Sequence, residues 1–88
     1  MSYKQLSQRV QDSCFHIRRE SVRLFKETEA KNREANKEDD LDTRKQMKLV
    51  YRAEAKRELI EIMTDICSKN RVRFEFVSKI LDLNYRFE

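Results

Sequence analysis

An all-α fold, a long helical hairpin with a short third C-terminal helix, is what this 88-residue sequence predicts. Three observations carry the expectation. Gly and Pro are both absent, which removes the residues that tight β-turns prefer. Lys, Arg, Glu, Gln, Ala and Leu, which lose little freedom on entering a helix, are abundant. The apolar residues recur at steps of three, four and seven, the spacing of one helix face.

The first helix has a start signal in Ser2 and Gln5, which fit a capping box. Its apolar positions Tyr3, Leu6, Val10, Cys14, Ile17, Leu24 and Phe25 fall within about 100° of arc. Phe15 and Val22 lie outside that stripe and suggest a second contact surface. After Phe25 the chain keeps helix propensity but has little to bury, and the acidic cluster from Glu38 to Asp42 marks a hinge near 37–42. Thr43 and Gln46 form a second capping box, and Asp40 or Asp42 at the same end suits the positive pole of a helix dipole. A second helix over about 43–68 carries the stripe Tyr51, Ala55, Leu59, Ile62, Met63, Ile66 and Cys67. It ends at Ser68-Lys69-Asn70, where Asn70 substitutes for a Gly cap.

The tail carries two periodicities. Arg71–Phe76 and Leu81–Glu88 alternate as strands do, which keeps a C-terminal β-hairpin as the alternative. The helical reading is preferred, because Val72, Phe76, Ile80, Leu83 and Phe87 fall within about 80° on a helical wheel. Phe74, Val77, Leu81 and Tyr85 then form an opposite apolar face that demands a partner.

With 39% hydrophobic and 41% charged residues, the chain is read as one small domain, 1–88. Its thin core points to a homodimer. A deep, water-excluding pocket is hard to build from this composition, and the lack of Gly excludes phosphate-cradling loops and nucleophile elbows. No apolar run approaches the 18 or more residues of a membrane span, and the N-terminus has no apolar secretion segment, so a cytoplasmic protein without membrane contact is expected. Cys14 and Cys67 lack paired-ligand spacing. His16 is the single histidine, and at i and i+2 on a helix Cys14 and His16 point apart. The acidic cluster lacks the Gly of a calcium loop. An enzyme is therefore not expected, and neither is a catalytic residue, metal or cofactor.

Charge points instead to a polyanion. The net charge is +4, and it is uneven: residues 43–57 hold six basic residues and one acidic, whereas 37–42 hold one basic and four acidic. Arg44, Lys48, Arg52 and Lys56 follow at four-residue steps, a ladder drifting about 40° per step along one helix face, with Lys45 and Arg57 flanking it. Like charges at this spacing repel one another. Two compensations are open. The ladder can meet Glu27, Glu29, Glu34 or the acidic cluster as ordinary ion pairs, or it can track the phosphates of nucleic acid. Arg18, Arg19, Arg23 and Lys26, near Phe15 and Val22, form a second basic set, and guanidinium beside aromatic rings suits looped or single-stranded RNA. Arg71 and Arg73 extend either patch.

The stretch Ala53–Glu88, above all Ser68-Lys-Asn-Arg-Val-Arg-Phe-Glu-Phe-Val-Ser-Lys-Ile-Leu-Asp-Leu-Asn-Tyr85, resembles the helical region of small phage-encoded double-stranded-DNA-binding transcription regulators. In that family a Lys-rich helix turns into a helix of the pattern Phe-x-x-(Leu/Ile)-Leu-x-Leu-x-Tyr. The resemblance implies a helical homodimer that grips nucleic-acid backbone. The Gly-free, charge-dense style also resembles small phage proteins that inhibit host or defence factors. The expected function is thus a small basic protein binding DNA or RNA through Arg44, Lys45, Lys48, Arg52, Lys56 and Arg57, helped by Arg18, Arg19, Arg23 and Lys26. The alternative is an inhibitor or adaptor that docks on a host or toxin protein through the apolar face of 72–87 or through Phe15 and Val22.

Overall fold

The computed structural model describes residues 7–82. It contains α1 (Gln8–Ala35), α2 (Leu41–Asn70) and α3 (Phe74–Leu81), with no strand among the described residues. The β-hairpin alternative for the tail is therefore wrong across residues 71–82. Leu83, Tyr85 and Phe87 lie outside the described residues. Two helices of 28 and 30 residues, at about 1.5 Å rise per residue, account for a molecule 50 Å long and 22 × 17 Å across.

The described part of α1 is capped by Ser7, whose hydroxyl accepts from the Val10 amide at 3.3 Å; Ser2 and Gln5 lie outside the described residues. Between α1 and α2 the chain turns at 36–40. The second start signal lies earlier than Thr43, because Asp40 is the cap. Its carboxylate accepts from the Asp42 amide at 3.2 Å and from the Thr43 hydroxyl at 2.7 Å, and both donors favour the charged form, holding its pKa below the usual carboxylate range. Thr43 thus serves the cap as a donor.

At the far end of α2, Asn70 is not the left-handed residue. Its side-chain amide donates to Ser13 Oγ of α1 at 2.8 Å, and Arg71 takes the left-handed conformation instead, at φ 55°, ψ 45°. The Arg71 and Val72 amides bond back to the carbonyls of Ser68 and Cys67, a Schellman closure made without Gly. Three residues after Asn70, α3 begins, and it is closed by Asp82, also left-handed at φ 44°.

The core is unequal along the hairpin. Cys14, Ile17 and Leu24 of α1 meet Ala55, Leu59, Met63 and Cys67 of α2, and Val77 and Leu81 of α3 close over them. Burying each larger aliphatic side chain is worth about 1.5–3 kcal/mol. The face of α3 that goes deepest is Val77 and Leu81, with Phe74, Ile80 and Val72 packed against the cluster, so the apolar face of the tail is largely used within the chain. Ser13 and Ser21 complete the α1 stripe, both buried. Their hydroxyls donate to the carbonyls of Arg9 and Arg18, which satisfies them inside a dry contact. Toward the turn, Met47, Lys48 and Tyr51 are only half-buried, and polar contacts replace apolar ones there.

Candidate nucleic-acid interface

Three contacts fix how the two long helices face one another. Arg23 of α1 reaches Glu58 of α2 at 3.5 Å, the Lys31 ammonium lies 5.7 Å from the centre of the Tyr51 ring, and Asn70 bonds Ser13. The helices are antiparallel, and in this register Val22 stands level with Ile60 and Phe25 with Lys56. Turning at about 100° per residue from the buried stripe, Arg23 and Glu27 of α1 lie on the same side of the hairpin as Glu54 and Glu58 of α2. The opposite flanks therefore share the other side, bringing Arg18, Val22 and Phe25 of α1 beside Lys48, Arg52, Lys56 and Ile60 of α2. Lys45 and Phe15 stand at the margins of that side.

The two sides differ in how their charges are engaged. On the first, Arg23 is held by Glu20 at 2.7 Å and Glu27 at 2.9 Å as well as by Glu58. The hydrogen bonds it donates to Glu20 and Glu27, Glu20 foremost, raise its pKa and keep it charged. Arg23, expected in the binding set, thus lies on the side away from the ladder with its donors engaged by the protein's own acids. Glu34 pairs with Lys37 at 3.2 Å, so neither Glu27 nor Glu34 serves the ladder. Glu29 lies between Arg18 and Val22 around α1, on the ladder's side, but forms no ion pair with Lys45, Lys48 or Arg52 among the described residues. On the second side Lys45, Lys48 and Arg52 form no ion pair among the described residues. Lys48 is half-buried, with a stem able to cover apolar surface while its ammonium reaches water.

The ladder is not uniform. Arg44 turns toward the loop, where Nε and Nη2 donate to the Glu38 carbonyl at 3.1 and 2.7 Å. It clamps the turn and is withdrawn from the outward row. Lys56 is half-buried on the cationic side. Arg57 lies about 140° around α2 from Arg52 and is exposed on the outer back of the helix, so it does not extend the row. Arg19 is on the outer back of α1 with its guanidinium carbon 5.8 Å from the Phe15 ring centre, and Lys26 is exposed nearby. The described structure therefore brings together Lys45, Lys48, Arg52, Lys56 and Arg18, and places Arg19 and Lys26 at the edge.

Exposed apolar groups stand among these cations: Phe15 is 56% exposed, Val22 39% and Ile60 49%. Ile60 lies about 100° around α2 from the buried Leu59 and so falls off the buried stripe. His16 is exposed and meets Phe15 edge-on at 5.8 Å, whereas Cys14 is buried. Burial raises the thiol pKa of Cys14, opposed by the nearby Arg18 charge. It does the same for Cys67, with Cys14 adding to the rise. Both thiols therefore stay protonated at neutral pH. Among the described residues no group of three or more His, Cys, Asp or Glu is placed to hold a metal ion, and no helix is long and apolar enough to cross a membrane. No protein-family profile, curated protein or solved structure matches the chain.

Proposed function

We propose that the cationic side of the hairpin binds the phosphate backbone of DNA or RNA, in a regulatory or inhibitory role. One observation carries the reading: Lys45, Lys48 and Arg52 lack carboxylate partners among the described residues and share a side with exposed Val22 and Ile60, while Glu20, Glu27, Glu54 and Glu58 stand on the other. From Lys45 to Lys56 the row spans about 16 Å along the helix, close to the rise of five base pairs. Phosphate contacts position a protein without reading sequence, so selectivity would come from nucleic-acid shape and from stacking on Phe15. The thin core near the turn supports a homodimer whose contact leaves this side uncovered, and sedimentation equilibrium would give twice the chain mass.

Charge-matched variants test the assignment by fluorescence anisotropy with duplex DNA and single-stranded RNA. Lys48→Glu with Arg52→Glu should weaken binding at least tenfold, whereas Lys31→Glu with Lys69→Glu, on the other side, should change it only a few-fold. Equal losses would reduce the interaction to net charge and contradict a localised face.

The exposure of Phe15 and Val22 favours one competing occupant, an acidic protein helix laid on the same side. In that case a complex with a cell protein would survive nuclease and be lost on Phe15→Asp.

A further inference from the structure

The open end of the hairpin carries a second basic feature, separate from the cationic row. Arg9 of α1, and Arg71 and Arg73 of the turn between α2 and α3, line one cleft of about 500 Å³ together with Val10, Val72 and Phe76. None of the three arginines forms an ion pair among the described residues. Three guanidinium groups around one concavity offer more donors than a single carboxylate can accept, and they match the several oxygens of a phosphoryl group. The other wall is apolar and aromatic, and the volume lies within the range of small-molecule sites, well beyond the size of a bare phosphate. A neighbouring groove of about 260 Å³ shares Arg73 and Phe76 and adds Lys79. α3 begins beside this cleft, and its first turn has no side-chain cap.

The geometry points to a nucleoside-phosphate site, in which Arg9, Arg71 and Arg73 hold the phosphoryl group and the base lies against Phe76. Two sources share that chemistry: a free nucleotide and the phosphorylated end of a nucleic-acid strand. The site does not depend on the cationic row, since the residues differ throughout.

The Arg71 backbone supplies an unusual control. At φ 55° an arginine is sterically strained where glycine is not, so Arg71→Gly removes the guanidinium while favouring the fold. Calorimetric titration of the full chain with ATP should show saturable binding, at least tenfold weaker in Arg71→Gly and in Arg9→Gln, and unchanged in Lys48→Glu with Arg52→Glu. Adenosine and inorganic phosphate should each bind at least tenfold more weakly than ATP. Adenosine binding as tightly as ATP, inorganic phosphate doing so, or undiminished ATP binding by Arg71→Gly would overturn the assignment, as would no binding at millimolar ATP. A 5′-phosphorylated oligonucleotide that displaces ATP where its unphosphorylated twin does not would support the site and assign it to strand ends. ATP binding untouched by either oligonucleotide would support it as a free-nucleotide site.

Discussion

Arg44 shows how one side chain's local duty limits its use elsewhere. Its two bonds to the Glu38 carbonyl are charge-assisted, and such bonds contribute about 1.5–3 kcal/mol when the acceptor is otherwise desolvated. Arg44→Ala is expected to lower the stability of the hairpin by about 1–2 kcal/mol in urea unfolding, while leaving nucleic-acid affinity less affected than Arg52→Ala does. Asp40 gives a pH signature. Its folded pKa is depressed by the Thr43 and Asp42 donors, so its contribution is present above the ordinary carboxylate pKa near 3.9 and is lost as pH falls through the lower folded value. Acid titration of stability should therefore be shallower below about pH 4 in Asp40→Asn than in the parent. Spacing puts Asp40 or Asp42 at the start of α2, but neither hydrogen-bonding role was legible in the chain itself. A four-residue ladder does not show that its first member turns toward a loop, and Asp40 was one of several acids near a helix start.

The helices were the most legible part. Cys14, Ile17, Leu24, Ala55, Leu59, Met63 and Cys67 were marked by spacing and are buried, because a 3.6-residue period maps directly onto one side of a helix. Ser13 and Ser21 carry no apolar signal in the sequence, yet each satisfies its hydroxyl within its own turn and packs as a small residue. In α3 the period gave two competing apolar faces, and only contact with α1 and α2 selects Val77 and Leu81. Val77→Asp should undock α3 and expose the Cys67 thiol, seen as a rise of tenfold or more in its alkylation rate at neutral pH. Ile17→Ala, a truncation at zero exposure, should cost about 2–4 kcal/mol. The core is concentrated at the α3 end, so amide hydrogens near the turn should exchange before those around Ile17 and Met63.

At the scale of the molecule, charge is sorted across the hairpin. Arg23 is held by Glu20 and Glu27 of its own helix and reaches Glu58 of α2 on one side, while Lys48 and Arg52 on the other form no ion pair among the described residues. The sequence showed that the middle segment is basic. It did not show the sorting, which depends on the register between helices and so on contacts between residues far apart in the chain. Proteins that neutralise Z duplex phosphates lose affinity with salt at a slope near −0.9Z in log–log form. The most direct test is the salt dependence of duplex binding by the parent and by a variant with Lys45, Lys48, Arg52 and Lys56 all changed to alanine. A slope that becomes shallower by about 3–4 on substitution is the predicted result, and an unchanged slope would contradict the cationic side as the binding surface.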